Sequence, residues 1–386
     1  MTSEKLMTKE IERFNPDYKQ WESDFGSLVT YSKTHYSDKY AYSIEDPKKP
    51  YGLIAFKNGV PEEIKNVQKS IAGLEFIENT GFTDDEQYHA SIEISNSIKC
   101  EDLGLKACQI IVTPDSSNSS FDVDIVSLVT RNNQSLSAQT DNNYMLPSIL
   151  MDINDKLTSK VRVISSVFNV DKIAISDDNS KKIEQQALDA GGNLYYKNGG
   201  MCTSAFSVKK NDSDQLGILT AAHCPGAENI EFYSSRTIGN IFEPDQPYSN
   251  IMDPDAVNGG DFRWLWSSVG LTGDTIIGPR EVRKFPHFVV PSIDKPVCTY
   301  GSVSGQSCAY IDSGNIVSKA CTSDGTCYTI GGLWSTDGPI TQKGDSGGPW
   351  YTGDVAVGIT SGANIEHSYF SLVYNAQIKM GVSLWY

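Results

Sequence analysis

Twenty-six of the 32 glycines in this 386-residue chain fall after residue 190, and so do five of its six tryptophans. A stretch so dense in turn signals and aromatics has no room for long helices. It reads as many short strands, an all-β sandwich or barrel. The first 190 residues, with only six glycines, read differently. Pro61-Glu62-Glu63 opens a helix with Pro and acids in its first turn; Ile64, Val67 and Ile71 share a face, and Gly73 can close it. Strand-like runs follow at 89–98, 107–113 and 121–130, then an amphipathic helix near 146–157 and strands near 161–168 and 172–176. That alternation gives an α+β domain. A polar stretch at 179–190, expected to be exposed and helical, runs into Gly191-Gly192. The expected domains are therefore 1–188 and 189–386.

Charge narrows the function classes. Thirty-two basic against 48 acidic side chains leave a formal net charge of −16, a surface that repels phosphates, so nucleic acid is not expected as a partner. No apolar run approaches the roughly 18 residues a membrane span needs, and a monomer is expected. Eight cysteines, six of them after residue 200, form no CxxC pair and no zinc knuckle. Disulfides in an oxidising compartment are the better reading, and hence a secreted protein. The first residues are polar and charged and carry no secretory signal; such a signal is either already removed or was never there. Sequons at Asn118, Asn133 and Asn211 fit secretion.

Two segments carry chemistry. In Thr220-Ala221-Ala222-His223-Cys224 small residues let an imidazole reach across a cleft, and the adjacent cysteine can tie the turn to Cys202. In Gly344-Asp345-Ser346-Gly347-Gly348-Pro349 a serine sits in a glycine turn whose N–H groups, those of Gly344 and Ser346, can face a developing oxyanion. Alone, each segment is a packed imidazole or a plain β-turn. Together, His then Ser, they fit nucleophilic catalysis, which also needs a shielded carboxylate to orient the imidazole. Asp261, entering an aromatic-rich strand after Gly259-Gly260, is the choice; Asp253 and Asp255, around Pro254, look like an exposed turn. No metal or organic cofactor is called for.

With these motifs the second domain resembles the chymotrypsin-fold serine proteases, most closely the streptogrisin and α-lytic protease branch. The likeness runs from Gly191 to Tyr386 and includes GGNLYYKNGGMCTSAFSV, VCTYGSVSGQSC, GITSGAN and the closing GVSLWY. It implies two six-stranded antiparallel β-barrels with the active site between them, and disulfides Cys202–Cys224 and Cys298–Cys308. It implies too that residues 1–188 are a folding-assisting, inhibitory pro-region acting as an intramolecular partner. The chain departs from the branch where a cysteine before the GDSGG segment and its partner are missing. Cys321 and Cys327, six apart, can bridge locally instead, and Cys100–Cys108 is the remaining pair expected, though the sequence leaves the pairing of these four open.

The resemblance also frames specificity and activation. Trypsin-like members place an acid where this chain has Ile340, and glutamate-specific relatives place a His where it has Thr360. The pocket expected from Ile340, Thr341, Thr360, Ser361, Gly362 and Ala363 is apolar, suiting Leu, Phe, Tyr or Met of a protein or peptide substrate. A cut near 188–190 is expected to free the second domain. The branch's Arg partner for the buried acid beside the nucleophile is replaced by Thr299, so Asp345 needs another, and the Tyr300 hydroxyl or backbone N–H groups are favoured over Arg236, Arg263, Arg280 and Arg283. The competing readings are a silent protease-fold binding protein and a permanently latent one.

Overall fold

The computed structural model describes residues 16–47, 49–103, 105–116, 120–127, 160–165, 188–196, 200–224, 230–233, 238–239, 259–267, 271–278, 281–321, 325 and 327–386. The fold is rich in β-strand, with a few helices. Helix α1 (Pro16–His35) lays Trp21, Phe25 and Val29 on a three-stranded sheet. In that sheet Gly52–Phe56 runs antiparallel to Tyr40–Glu45 and parallel to Leu74–Glu78. The parallel crossover contains the expected helix, α2 (Glu62–Val67), but it stops earlier than expected, with Gln68 as its C-cap; Ile71 lies beyond it, and Gly73 does not close it but adopts φ +74° just before the strand Leu74–Glu78. A Cβ there would lie 2.0 Å from the Pro50 carbonyl oxygen, so only glycine fits.

The run at 89–98 is not a strand. It is most of helix α3 (Asp84–Ser97), opened by a capping box in which Thr83 and Glu86 each bond the other's backbone N–H. The alternating isoleucines suggested a pleat, yet the buried positions 87/88, 91/92 and 94/95 recur with a helical period. The expected strands at 107–113, 121–130 and 161–168 correspond to Cys108–Asp115, Ser120–Ser127 and Lys160–Ser165. The helix expected near 146–157 and the strand expected near 172–176 lie outside the described residues.

Two closed six-stranded barrels are not what the sheets draw. Among the described residues the strands after 188 fall into two four-stranded sheets, one three-stranded sheet and part of a ten-stranded sheet. The ten-stranded sheet crosses the expected boundary: Gly305–Cys321 pairs with Cys327–Thr336 on one side and with Cys108–Asp115 on the other. Lys319, on that strand, donates to the Ser95 and Ile98 carbonyls at the end of α3, each at 3.2 Å.

All eight cysteines are paired, as Cys100–Cys108, Cys202–Cys224, Cys298–Cys308 and Cys321–Cys327. The two pairs that no motif secured lie side by side, because Cys321 stands opposite both Cys327 and Cys108 in the sheet.

The segment expected to be exposed and cut is also different. Leu188–Ala190 is a strand running parallel to Leu271–Gly278, and Ala190 is 0% exposed in a core shared with Leu194, Ile218, Leu265 and the Cys202–Cys224 bridge. Residues 179–187 lie outside the described residues.

Candidate active site

Sheet pairing brings His223 and Asp261 together. Leu216–Thr220 is antiparallel to Arg263–Trp266 with Thr220 opposite Arg263, so the residues just after one strand and just before the other share one end of the sheet. There His223 Nδ1 meets Asp261 Oδ2 at 2.6 Å, and the His223 backbone N–H donates to Asp261 Oδ1 at 3.0 Å. Two contacts that sequence reasoning missed complete the carboxylate's setting. The Ser361 hydroxyl donates to Asp261 Oδ2 at 2.7 Å, and the Asp261 N–H donates to Ser371 Oγ at 2.7 Å. Ser361, taken from the sequence as a pocket residue, thus faces the acid. No local signal marks it, because it lies a hundred residues away in the chain.

Asp261 is 0% exposed, whereas the His223 side chain is 39% exposed. Burial drives the Asp261 carboxyl up, but His223, then the hydroxyl and N–H donors, hold it below the usual 3.8. Burial works against the imidazolium, yet the charge and hydrogen bond of Asp261 outweigh it; Arg263 opposes more weakly, and His223 is raised above 6.5. With Nδ1 facing a carboxylate, the proton of neutral His223 belongs on Nδ1, which leaves Nε2 to accept one.

The serine turn is seated against the same end. The Ser346 carbonyl accepts the Thr203 N–H at 2.7 Å, and Gly347 donates to the Thr360 carbonyl at 2.7 Å. Gly347 has φ +86°, and a Cβ there would stand 2.1 Å from Thr220 Oγ1, so glycine is what lets the turn approach the strand leading to His223. The Cys224 sulfur lies 3.8 Å from the Ser346 carbonyl oxygen. Among the described residues the Ser346 hydroxyl has no hydrogen bond, and neither the Gly344 nor the Ser346 N–H has an acceptor. His223, Cys202 and Cys224 also cluster as three metal-ligand types, but both sulfurs are held in the disulfide and neither can serve as a thiolate.

Ile340 and Thr341 converge on Ser368. Its hydroxyl oxygen accepts the Ile340 and Thr341 N–H groups at 2.9 and 3.0 Å, and the Thr341 hydroxyl also reaches the Gly362 carbonyl at 3.4 Å. A Cβ built on Gly362 meets nothing within 4 Å, so there is open space beside it, and Ala363 is exposed. Ile340 turns partly into the core beneath. Thr360 is buried as a brace: its hydroxyl oxygen accepts from Trp350 Nε1 at 2.8 Å and lies 3.1 Å from the Gly348 carbonyl oxygen it donates to.

No family model matches the chain. It is similar to solved structures of Thermobifida fusca protease A (23% identity, 52% of this chain and 98% of that one, TM-score 0.39) and Nocardiopsis protease (20%, 52% and 100%, 0.41). A third is an alpha-lytic protease homolog, N4 (20%, 52% and 100%, 0.39). These are chymotrypsin-fold serine proteases of the streptogrisin and α-lytic type.

Proposed function

We propose that this chain is a secreted serine endopeptidase. The observation that carries the reading is an imidazole held by a fully buried carboxylate, on the same end of the sheet as a serine turn with two N–H groups that have no acceptor among the described residues. In this mechanism Ser346 Oγ attacks a peptide carbonyl, His223 Nε2 takes its proton and returns it to the leaving amine, and Asp261 stabilises the imidazolium between. The oxyanion is held by the N–H groups of Gly344 and Ser346; losing one such donor typically costs about 10²–10³ in rate. The residues before Leu188 act as a pro-region docked on the protease domain that follows. Neither metal nor cofactor takes part.

A fluorophosphonate probe tests this reading: Ser346 labels in the native chain and not in a His223→Ala variant. A native chain that stays unlabelled would be a silent or latent protein instead. For specificity, the open space by Gly362 and the absence of an acid at Ile340 favour cleavage after Leu, Phe, Tyr or Met. A peptide library dominated by Arg or Lys would overturn that.

The processing site is sharpened by the buried strand. Removing Leu188–Ala190 would open the Ala190 core and leave Gly191, where a Cβ would lie 2.3 Å from the Ile276 carbonyl oxygen, as a frayed end. The cut therefore falls before Leu188. Mass spectrometry of the processed protein should find a first residue at or before 188; a product starting at Gly191 or later contradicts it.

A further inference from the structure

The acid beside the serine is held mainly by one turn. Asp345 is 0% exposed. Its Oδ1 accepts the N–H groups of Val303 and Ser304 at 2.9 and 3.0 Å; its Oδ2 accepts the Gln342 N–H at 2.8 Å and the Ser304 hydroxyl. An ionised carboxylate offers about four acceptor sites, and four donors occupy them. The Tyr300 hydroxyl is not one of them, Arg263 and Arg283 donate to the Ala222 and Gly353 carbonyls, and Arg236 and Arg280 lie outside the described residues. Space enforces the grip, since a Cβ on Gly301 would lie 2.1 Å from Asp345 Cγ.

The same turn also reaches the backbone on either side of Asp345. Thr203 Oγ1 accepts the Ser302 N–H at 3.1 Å, meets the Ser302 hydroxyl at 2.7 Å and donates to the Gly344 carbonyl at 3.0 Å, while the Thr203 N–H holds the Ser346 carbonyl. Successive N–H groups curling around an anion form a nest. Here the nest fixes residues 344–346, whose two outer N–H groups, those of Gly344 and Ser346, have no acceptor among the described residues. We infer that Ser304 is a positioning residue for the oxyanion site, and that the 301–304 turn forms this site without an ammonium from a newly cut N-terminus. The inference rests on the serine-protease reading above.

The test uses the labelling-competent full chain and its Ser304→Ala and Ser304→Thr variants. Two quantities are read: the rate of Ser346 labelling by a small fluorophosphonate, and the affinities for a peptide boronate and for the same peptide as a carboxamide. Losing a hydrogen bond to a charged group should slow labelling about 10- to 100-fold. Boronate affinity falls alongside, while carboxamide affinity holds, and Ser304→Thr restores both. Selective acetylation of the new α-amine of the processed protein leaves its labelling rate unchanged. An Ala variant that labels normally, or that loses carboxamide binding in the same proportion, overturns the inference, as does a processed protein whose rate collapses on acetylation. A wild-type chain that never labels fails the protease reading itself, and this inference with it.

Discussion

Asp261→Asn should lower kcat by about 10⁴, the size of loss typical when the orienting carboxylate of such a triad becomes an amide. The reason is geometric. Asp261 accepts from His223 Nδ1, from the His223 backbone N–H and from Ser361 Oγ, and an amide cannot offer two acceptor oxygens to all three. Its NH₂ facing Nδ1 would force the imidazole proton onto Nε2, where the serine needs an acceptor. The pH profile supplies a second readout. In the native chain the general base is lost as pH falls through the His223 pKa, which Asp261 raises above 6.5. Removing that charge leaves burial and Arg263, both of which lower it, so the residual activity of the variant should persist to lower pH than in the native chain. A midpoint that moves up, or a kcat within about tenfold of native, would mean that Asp261 does not act through His223.

Stability carries the same linkage with opposite signs. The raised His223 contributes below pH 6.5, and that contribution is lost as pH rises through its folded value. The lowered Asp261 contributes above 3.8, and that contribution is lost as pH falls through its folded value.

How much of this site could be read from sequence depends on whether the chemistry is local. The glycines around Ser346 and the small residues before His223 announce themselves, because a tight turn and a close approach need particular residues at adjacent positions. Asp261 was chosen for its aromatic neighbours, and Trp264 and Phe262 are indeed buried beside it. Ser361, Ser371 and Ser368 were not legible as partners. A serine is an ordinary residue in a strand, and only pairing of strands distant in sequence reveals what its hydroxyl meets. The Ser304 grip on Asp345 was half visible: the missing Arg showed that some donor was needed, but not that a turn would provide three of the four.

The fold divides along similar lines. Glycine density gave the strand-rich second part, and Pro61 with its acids gave α2. Helix α3 reads as a strand in sequence because Ile92, Ile94 and Ile98 alternate, although Thr83-x-x-Glu86 is present as a start signal. The strand at 188–190 was read as helix because three residues are too few to show a period, and its conformation is set by parallel pairing with Leu271–Gly278. The docking of the first part on the second leaves no sequence trace, since its anchors are single residues far apart.

One such anchor should have the largest effect on stability. Lys295→Ala is expected to destabilise the full chain by about 3–5 kcal/mol, the usual result of removing one partner from a buried ion cluster. Lys295 Nζ lies 2.9 Å from Glu22 Oε1 and 3.2 Å from Glu45 Oε2, and the Lys295 and Glu45 side chains are only 3% and 1% exposed. The lysine belongs to the second part and both carboxylates to the first. Around them the Glu45 N–H donates to the Ile293 carbonyl, the Ile293 N–H to the Ser43 carbonyl, and Ser43 Oγ to Ser292 Oγ at 2.9 Å. Truncating the lysine strands Glu45 without its cation in the middle of this seam. Burial opposes the ammonium, but Glu45 and then Glu22 hold its pKa above the usual 10.5, so its contribution is complete below 10.5 and lost as pH rises through the folded value. Urea midpoints at pH 7 read the effect. Lys295→Met combined with Glu22→Gln and Glu45→Gln removes all three charges, and should recover much of the loss, because matched neutral groups avoid the unpaired charge. Lys209→Ala, on the surface pair with Asp214, should leave the midpoint where it was. If Lys295→Ala costs less than about 0.5 kcal/mol, the range usual for a surface change, the cluster does not fasten the two parts together.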